Sequence, residues 1–593
     1  MKKNSVEMKT CFKKNPHSIA DLIRTRLIIL LLLAQTNIWA QEPKIDFDGD
    51  GNADIALLGM QLFKDSNGNN VTPGNLPLGL SNGDGTFNFW NEDMKDFTKS
   101  FAGETNVRRI EGDFNGDGKT DIALIRQEGG WNTIPIASYR ASGIFGLTNE
   151  KVGEFISTWA KDSDVRVIPG DYNGDGKTDI ALVRQDKGWD SVPIAFSKGD
   201  GSFDVKNIRT GDFASSFAAT RGVEVIPGDY NGDKKTDLAL VAHVNNGWNT
   251  LPIAFSNGDG SFKVTNTFIG DFIKAFSVLS NVQAQPGDFN GDGKTDIALI
   301  AKEAHGWNTL PIAFSKGDGS FTVTNNFIGD FIKSWSITEQ VQAYPGDFNG
   351  DKKTDIVLIN RNPKGNWDSM PIAFSKGDGT FNVLNFTVGE FAGSWITRPG
   401  VVTMLGDFNG DNKTDISLLN TDRNDQWNSI PIAFSLGDGT YNVVNIKADD
   451  NFINAATGYN YVVVGSSGYI YTRRALDATI TFRNNRPLTE DGCSFPDGAN
   501  LDPNGLFRPA CADHDFNYSS PWGLAGIDAK GKIDLQFKFD MGALCSNSSI
   551  LNLFNSCSLT SDIMFIAVNT SGGPSFSNGQ LFSQRNGQIL YSN

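Results

Sequence analysis

The sequence predicts a multidomain protein in which an all-β propeller of seven blades precedes a small, mainly α-helical domain held by disulfide bonds. Three observations lead to this fold class. One acidic pattern occurs seven times, glycine-rich turns recur with it, and every cysteine beyond residue 40 lies close to the C-terminus. We therefore divide the chain into residues 1–40, a propeller at 41–450 and a second domain at 451–593.

The repeated pattern is an acidic loop followed by an apolar run. "GDFNGDGKTDIALI" begins at residue 112 and returns with few changes from residues 170, 228, 287, 346 and 406, while "DFDGDGNADIALL" from residue 46 is a shorter first copy. A full unit has four apolar runs, and Gly-Asp-Gly between the last two is typical of a hairpin because glycine adopts positive φ readily. Four strands repeated seven times predict a radial propeller. In copy two, "SYRASGIFG" replaces the Gly-Asp-Gly turn.

Each loop has oxygen-bearing side chains at positions 1, 3, 5 and 9 and a main-chain carbonyl at position 7. This alternation is typical of loops that wrap calcium. The alternative is that acidic, glycine-rich turns only solvate hairpins, but aspartate at positions 1, 5 and 9 in all seven copies favours weak structural calcium sites. The predicted ligands are Asp46, Asp48, Asp50, Asp54, Asp113, Asn115, Asp117, Asp121, Asp171, Asn173, Asp175, Asp179, Asp229, Asn231, Asp233, Asp237, Asp288, Asn290, Asp292, Asp296, Asp347, Asn349, Asp351, Asp355, Asp407, Asn409, Asp411 and Asp415.

These repeats resemble the FG-GAP repeat (integrin-α-like, VCBS) from residue 45 to about 448. The resemblance implies a seven-bladed propeller with calcium between the first two strands of each blade. Propellers of this kind serve adhesion, sugar binding and spacing, so the fold alone does not decide the function. We expect the repeated tryptophans to pack between blades, with sugar platforms as the alternative; they are Trp131, Trp189, Trp248, Trp307, Trp367 and Trp427.

Residues 1–40 have the order of a secretory signal peptide. Basic residues precede an apolar run from Leu27 to Ala34, and "NIWA" ends at Ala40. That run is shorter than the roughly 20 apolar residues that cross a bilayer. We therefore expect cleavage after Ala40 and a secreted, extracellular protein.

The charge of the chain excludes one class of partner. The full sequence carries a formal net charge of −16, and the basic residues of 1–40 leave the remainder near −21. Proteins that bind nucleic acid present basic surfaces to phosphate. Nucleic acid is therefore not an expected partner.

The four remaining cysteines lie within a short C-terminal stretch, at Cys493, Cys511, Cys545 and Cys557. An even, clustered set in an exported protein predicts two disulfide bonds, and three pairings satisfy the count.

His514 lies beside these cysteines, between two aspartates. Apolar residues at helical spacing from 533 to 544 place Asp534 on a helix that could face His514. If Cys493 bonds Cys511, Asp491 comes close to Asp515, and two adjacent carboxylates call for a cation such as calcium. A histidine beside that metal, oriented by a carboxylate, can act as a general base toward water.

The run "CADHDFNY" at 511–518, the upstream Asp-Gly-Cys and the downstream "IDLQFKFDMGALC" resemble the secreted phospholipase A2 of bacteria and fungi, over about 480–575. The resemblance implies that His514 is the base, that Asp534 holds its imidazole, and that Asp491, Asp515 and the carbonyl of Gly492 bind calcium. It also implies Cys493–Cys511 and Cys545–Cys557 disulfides. Asp513 and Asn517 depart from the family pattern, which usually has a basic residue and a glycine there.

We therefore predict a secreted calcium-dependent phospholipase A2 that hydrolyses the sn-2 ester of phospholipids in a membrane surface, with a propeller that targets or displays it. The alternative is a propeller lectin or adhesin, which binds a glycan or a cell surface and carries an inactive phospholipase-like domain. The two other histidines beyond residue 40, His243 and His305, are expected to face solvent in blade loops.

Overall fold

A computed structural model describes residues 45–59, 74–104, 107–127, 129–162, 164–186, 188–220, 222–244, 247–279, 281–365, 367–422, 427–456, 461–464, 582–585 and 588–591. Seven antiparallel sheets of four strands each account for most of these residues. The seven-bladed propeller that the repeats predict is confirmed. Among the described residues, no helix is long and apolar enough to cross a membrane.

Blades 1 to 7 are numbered by their acidic loops, and strands are numbered along the chain. Blade 1 contains β1 Ile55–Gly59, β2 Asn75–Ser81 and β3 Phe87–Asp93, and blade 2 contains β4 Val107–Gly112, β5 Asp121–Arg126, β6 Thr133–Ala141 and β7 Ile144–Lys151. Blade 3 contains β8 Val165–Gly170, β9 Asp179–Arg184, β10 Ser191–Ser197 and β11 Phe203–Arg209, and blade 4 contains β12 Val223–Gly228, β13 Asp237–Ala242, β14 Thr250–Ser256 and β15 Phe262–Phe268. Blade 5 contains β16 Val282–Gly287, β17 Asp296–Ala301, β18 Thr309–Ser315 and β19 Phe321–Phe327. Blade 6 contains β20 Val341–Gly346, β21 Asp355–Asn360, β22 Ile372–Ser375 and β23 Phe381–Leu384, and blade 7 contains β24 Val401–Gly406, β25 Asp415–Asn420, β26 Ser429–Ser435 and β27 Tyr441–Lys447.

The middle strands of each blade are buried on both faces because neighbouring blades pack against them. In blade 4, β13 is buried along its whole length, and β14 is buried after its first residue. The outer strand β15 alternates between half-buried and exposed residues. Burial on both faces explains why the run that follows each acidic loop is continuously apolar instead of alternating.

The Gly-Asp-Gly turns join the third and fourth strands, as the sequence predicts. Gly199 and Gly201 have φ values of 86° and 88°, in the region that glycine enters without strain. Blade 2 replaces this turn by a tighter one in which Ser142 (φ 53°) and Gly143 (φ 77°) follow a register shift between Tyr139 and Ala141.

Short π-helical turns connect the outer strand of one blade to the first strand of the next, at Phe97–Ala102, Phe155–Trp159, Phe213–Ala218, Phe272–Ser277, Phe331–Trp335 and Phe391–Trp395. Their aromatic residues pack against the repeated tryptophans edge to face: the ring centroids of Phe217 and Trp248 lie 5.4 Å apart at 89°. Edge-to-face contacts also join Phe101 to Trp131 and Phe276 to Trp307, and Trp395 contacts Trp427 in a tilted arrangement at 50°. The expectation that these tryptophans pack between blades is confirmed for these four.

A closed ring of main-chain hydrogen bonds joins the seven acidic loops. The N–H of the eighth loop residue donates to the carbonyl of the first residue of the preceding loop, at 2.6 to 2.8 Å. The seven bonds run from Thr120 to Asp46, Thr178 to Asp113, Thr236 to Asp171, Thr295 to Asp229, Thr354 to Asp288, Thr414 to Asp347 and Ala53 to Asp407. The last of these bonds closes the circle between blades 7 and 1.

Blade 1 takes its first strand from the end of the propeller. The helix α1 (Asp450–Ala456) leads to β28 (Tyr461–Val464), which pairs antiparallel with β1 in the register Leu57 to Val463. The propeller thus extends to Val464, past the predicted boundary at residue 450. Farther along the chain, β29 (Phe582–Arg585) and β30 (Gln588–Tyr591) form a two-stranded hairpin.

The residue after the second strand ties its blade to the next one. Gln185 donates from Nε2 to the carbonyl of Val223 at 2.7 Å, and Lys302 and Arg361 make the same kind of bond to Val341 and Val401.

The corresponding residue of blade 4, His243, is buried. Its Nε2 lies 2.6 Å from Glu224 Oε2, and its Nδ1 lies 3.2 Å from the carbonyl of Ser277. The expectation that His243 faces solvent is therefore wrong, because this position belongs to the interface between blades. His305 is half-buried and contacts the ring of Trp307.

We predict that a fragment ending at residue 450 is less stable than one ending at residue 466. The shorter fragment lacks β28 and exposes the edge of β1. At about 1 kcal/mol for each hydrogen bond lost, the difference in unfolding free energy should be about 2–4 kcal/mol. Urea unfolding of the two fragments measures this difference, and equal midpoints would show that β28 does not close the ring in solution.

Candidate cation loops and the grooves between blades

The first aspartate of each loop is held by the amides of its own turn. In blade 3, Asp171 accepts the N–H of Gly174 at 2.6 Å through Oδ1 and the N–H of Gly176 at 2.8 Å through Oδ2. Asn173 Oδ1 accepts the N–H of Asp175 at 2.8 Å. The same bonds recur in blades 5 and 6, so these loops share one backbone geometry.

The ninth-position aspartate, a predicted cation ligand, also accepts main-chain hydrogen bonds. Asp179 Oδ2 accepts the N–H of Tyr172 at 3.0 Å, and its Oδ1 accepts the N–H of Ser197 at 2.8 Å. The same pair of bonds occurs in blades 1, 4, 5, 6 and 7. Both oxygens of this predicted ligand thus already have main-chain donors, which join the loop to the third strand.

Loop 1 concentrates the most negative charge. Ligand oxygens of Asp46, Asp48 and Asp50 lie within 4.8 Å of one another, the single group of three or more acidic, histidine or cysteine side chains of this kind in the part of the chain that the structure describes. Asp54 is not a member of the group. Loop 1 is also the copy with aspartate at position 3 and asparagine, Asn52, at position 7.

Six of the loops have a lysine at position 7, whose side chain the calcium pattern does not predict. In loops 3 to 7 the lysine Nζ pairs with the fifth-position carboxylate at 2.6 to 2.8 Å. In loop 2, Lys119 Nζ lies 5.2 Å from the ring centre of Tyr139. An ammonium group in the loop lowers the net negative charge that a calcium ion would meet.

The donor chemistry of loop 1 fits calcium, which prefers carboxylate and carbonyl oxygens. Asp46, Asp48 and Asp50 would hold the ion there, and its charge would neutralise their mutual repulsion. Loops 2 to 7 offer two carboxylates and an asparagine oxygen at positions 1, 3 and 5. Calcium in all seven loops stays a prediction.

Burial shifts the proton affinity of the ninth-position aspartates. It raises the pKa of Asp121 to about 7. It raises the pKa to about 8 in Asp54, Asp179, Asp237, Asp296, Asp355 and Asp415. Burial also raises the pKa of the first-position carboxyls of loops 2 to 6. The folded loops therefore bind protons more tightly than the unfolded chain does.

A groove opens on the acidic-loop face between blades 3 and 4. It has a volume of about 480 Å³, within the range of small-molecule sites. Its lining residues come from loop 3, from the end of β10, from β11 and from the turn of blade 4; they are Asn173, Asp175, Lys177, Phe196, Ser197, Lys198, Asp204, Lys206, Gly258 and Asp259. Sequence reasoning missed this site because its walls come from two repeats.

Two hydrogen bonds of Ser256 position Gly258, which lines the groove. Ser256 Oγ donates to the carbonyl of Tyr172 in the preceding loop at 2.6 Å, and it accepts the N–H of Gly258 at 3.2 Å. Lys177 pairs with Asp175 at 2.7 Å, and Lys206 pairs with Asp204 at 2.9 Å. The groove thus combines charged side chains with one aromatic residue, Phe196.

The predicted phospholipase residues lie outside the described part of the chain. These are the catalytic pair His514 and Asp534, the calcium ligands Asp491, Gly492 and Asp515, and the cysteines Cys493, Cys511, Cys545 and Cys557. Their roles and pairings stay predictions.

The repeats match a known family. Residues 113–182, 171–240, 229–299 and 288–358 each match the FG-GAP-like repeat. The chain therefore carries FG-GAP-like repeats that form a seven-bladed propeller. No curated protein sequence matches the chain significantly.

Two solved structures are similar to the propeller. One is a lectin of Agrocybe aegerita described as specifically recognising non-reducing terminal N-acetylglucosamine; it is 20% identical with a TM-score of 0.52, and the match covers 70% of this chain and 96% of the lectin. The other is a functionally unknown protein of Desulfotomaculum acetoxidans, 10% identical with a TM-score of 0.33, over 67% of this chain and all of that protein. At 20% identity the likeness to the lectin concerns the fold alone.

We predict that the propeller loses stability in a calcium chelator as the pH rises from about 4 to about 8. The raised pKa values make protonated loops the more stable folded form. The stability that protonation adds is fully present below the unfolded pKa of 3.8. It is lost as the pH rises through the folded pKa of about 8.

Added calcium should therefore raise the melting temperature more at pH 8 than at pH 5, where protons compete for the same oxygens. An ion at ten times its dissociation constant stabilises by about 1.4 kcal/mol per site. Melting curves at both pH values, with magnesium as the control ion, measure the effect. An equal shift at both pH values, or none, would argue against cation binding by these loops.

Proposed function

We propose that the propeller is a carbohydrate-binding module of a secreted protein, and that the C-terminal residues give this protein calcium-dependent phospholipase A2 activity. The observation that supports the first part is the groove between blades 3 and 4. The observation that supports the second is the set of residues around His514 in the sequence.

The groove suits a saccharide better than a lipid or a nucleic acid. A sugar ring presents hydroxyl groups at its rim and C–H groups on its faces, so its sites combine directed polar groups with an apolar surface. Here Lys198, Lys206 and Asp259 supply charged donors and acceptors, and Phe196 supplies an aromatic edge. The fold is also shared with the Agrocybe aegerita lectin.

We expect the full chain to bind surfaces that display terminal N-acetylglucosamine, and we expect free N-acetylglucosamine to displace it. Hydrogen exchange should then show protection at residues 196–206 and 256–261, which border the groove. Residues 272–279 at the opposite end of blade 4 are the internal control and should exchange at the same rate with and without sugar. A glycan array without any bound glycan would contradict the carbohydrate function.

The phospholipase proposal depends on separate sequence elements that agree in chemistry. His514 is flanked by aspartates, Asp534 follows on an amphipathic segment, and Asp491 and Asp515 would supply carboxylates to calcium. Calcium at that site would polarise the ester carbonyl and stabilise the oxyanion. His514 would take the proton from water, and Asp534 would orient the His514 imidazole. A propeller bound to a glycan-covered membrane would raise the local concentration of this enzyme.

We predict that His514→Ala lowers fatty-acid release from phospholipid vesicles by about 10²- to 10⁴-fold, because it removes the general base. Calcium affinity of the C-terminal site should stay unchanged, since the assigned ligands are Asp491, Gly492 and Asp515. Asp515→Ala should instead weaken calcium binding, and excess calcium should partly restore its activity. His305→Ala, in a loop of blade 5, is the control and should hydrolyse lipid at the normal rate. Normal hydrolysis by a folded His514→Ala protein would contradict the phospholipase proposal, and only the binding function would remain.

A further inference from the structure

Both ring nitrogens of His243 face oxygen acceptors. Nδ1 lies 3.2 Å from the carbonyl oxygen of Ser277, and Nε2 lies 2.6 Å from Glu224 Oε2. A carbonyl oxygen accepts and does not donate, so Nδ1 carries a proton. A second proton must lie between Nε2 and Oε2, since an imidazole lone pair and a carboxylate at 2.6 Å would otherwise repel each other. His243 and Glu224 thus share one proton, whichever of the two atoms holds it.

This pair is buried at the junction between blades 4 and 5. The side chains of His243 and Glu224 are only 3% and 6% exposed. With the shared proton the pair has no net charge, either as imidazolium beside carboxylate or as imidazole beside carboxylic acid. Loss of the proton would leave an uncompensated negative charge in the interior, which is strongly destabilising. The stability that the pair contributes is therefore present while the proton is bound and is lost as the pH rises.

The pair also fastens the turn that leads from blade 4 to blade 5. Ser277 ends the π-helical turn Phe272–Ser277, and its Oγ donates to the carbonyl of Ala242, at the end of β13, at 2.6 Å. The Nδ1–H of His243, the next residue, donates back to the carbonyl of Ser277. A neutral imidazole has one N–H for two acceptors, so without the shared proton either Ser277 or Glu224 loses its donor.

Three other junctions have donors at this position that do not depend on such a proton. In blade 3, Gln185 donates from a neutral amide, and Arg166 occupies the position of Glu224 and donates from Nε to Gln185 Oε1 at 2.6 Å. Arg361 is a permanent cation, and the amine of Lys302 keeps N–H groups in both of its protonation states. The junction between blades 4 and 5 therefore differs from these three in its response to pH.

The ionisable groups around the pair are few. Glu224 is the one such residue of β12, whereas β14, β16 and the π-helical turn before blade 4 have none. Lys274 of the following turn is exposed, and His305 contacts Trp307, which packs on that turn. Burial, with Glu224 among the charges that add to it, raises the pKa of Tyr230 well above its usual value, so this phenol stays neutral. Two aspartates begin β13 and β17 at the acidic-loop end, Asp237 and Asp296.

We propose that the junction between blades 4 and 5 is a proton-operated joint, closed while His243 and Glu224 share a proton and released when that proton passes to the solvent. Histidine ordinarily changes charge near about pH 6.5, so the release falls within a range that proteins meet. The released part is the turn Phe272–Ser277, while the junctions with permanent donors stay closed. The proposal is independent of the carbohydrate and phospholipase functions.

Hydrogen exchange of the full chain at about pH 6 and about pH 9 tests the joint, with rates corrected for the intrinsic pH dependence of amide exchange. Residues 272–279 should exchange at least roughly tenfold faster at the higher pH, because local opening exposes their amides. Residues 213–220, at the turn bridged by Gln185, are the internal control and should change less than about twofold. This comparison also removes any general loosening that the acidic loops cause.

The matched variant combines His243→Gln with Glu224→Arg and so copies the Gln185 and Arg166 pair of blade 3. Its residues 272–279 should exchange at the same corrected rate at both pH values. If the double variant melts early, His243→Gln alone decides, since its amide donates at any pH. His305→Gln removes the other nearby histidine and should keep the response of the original protein.

Three results would each overturn the proposal. The first is equal corrected exchange of residues 272–279 at both pH values in the original protein. The second is an unchanged pH response in the folded double variant, or in His243→Gln if that variant decides. The third is loss of the response in His305→Gln, which would assign it to the histidine beside Trp307.

Discussion

The ring of hydrogen bonds between acidic loops is the constraint on which the rest of the propeller depends. Each loop donates one amide to the loop before it, and Ala53 closes the ring on Asp407. This spacing places every serine that ends a third strand beneath the preceding loop, and it buries the second strands on both faces. Because the bonds involve main-chain groups, they tolerate a change of side chain at most loop positions.

The same ring brings carboxylates together at one end of the propeller, where they repel one another. Three features reduce this repulsion. The ninth-position aspartates accept main-chain N–H groups, five lysines pair with fifth-position aspartates, and buried carboxyls have raised pKa values that favour a proton. Loop 1 lacks the lysine and holds Asp46, Asp48 and Asp50 together, so its demand for an external cation is the greatest.

Variation on this constant backbone is where recognition can arise. The hydrogen bonds between consecutive loops repeat around the ring, whereas the residue beneath the second glycine of the next turn changes from Lys206 to Thr265 to Leu384. The opposite end of the blades follows the same principle, since Gln185, Lys302 and Arg361 make one kind of bond with three different groups.

The sequence by itself determined the number of blades, the position of the acidic loops and the Gly-Asp-Gly hairpins, because each repeat encodes these through local turn chemistry and apolar runs. Only the tertiary structure decided that β28 completes blade 1, that Asp179 bonds to Tyr172 and Ser197, that His243 is buried against Glu224, and that a groove forms between blades 3 and 4. These features join residues of different repeats or of distant strands. The spacing of residues along the chain does not predict these contacts, since they form only when all seven blades have packed into the ring.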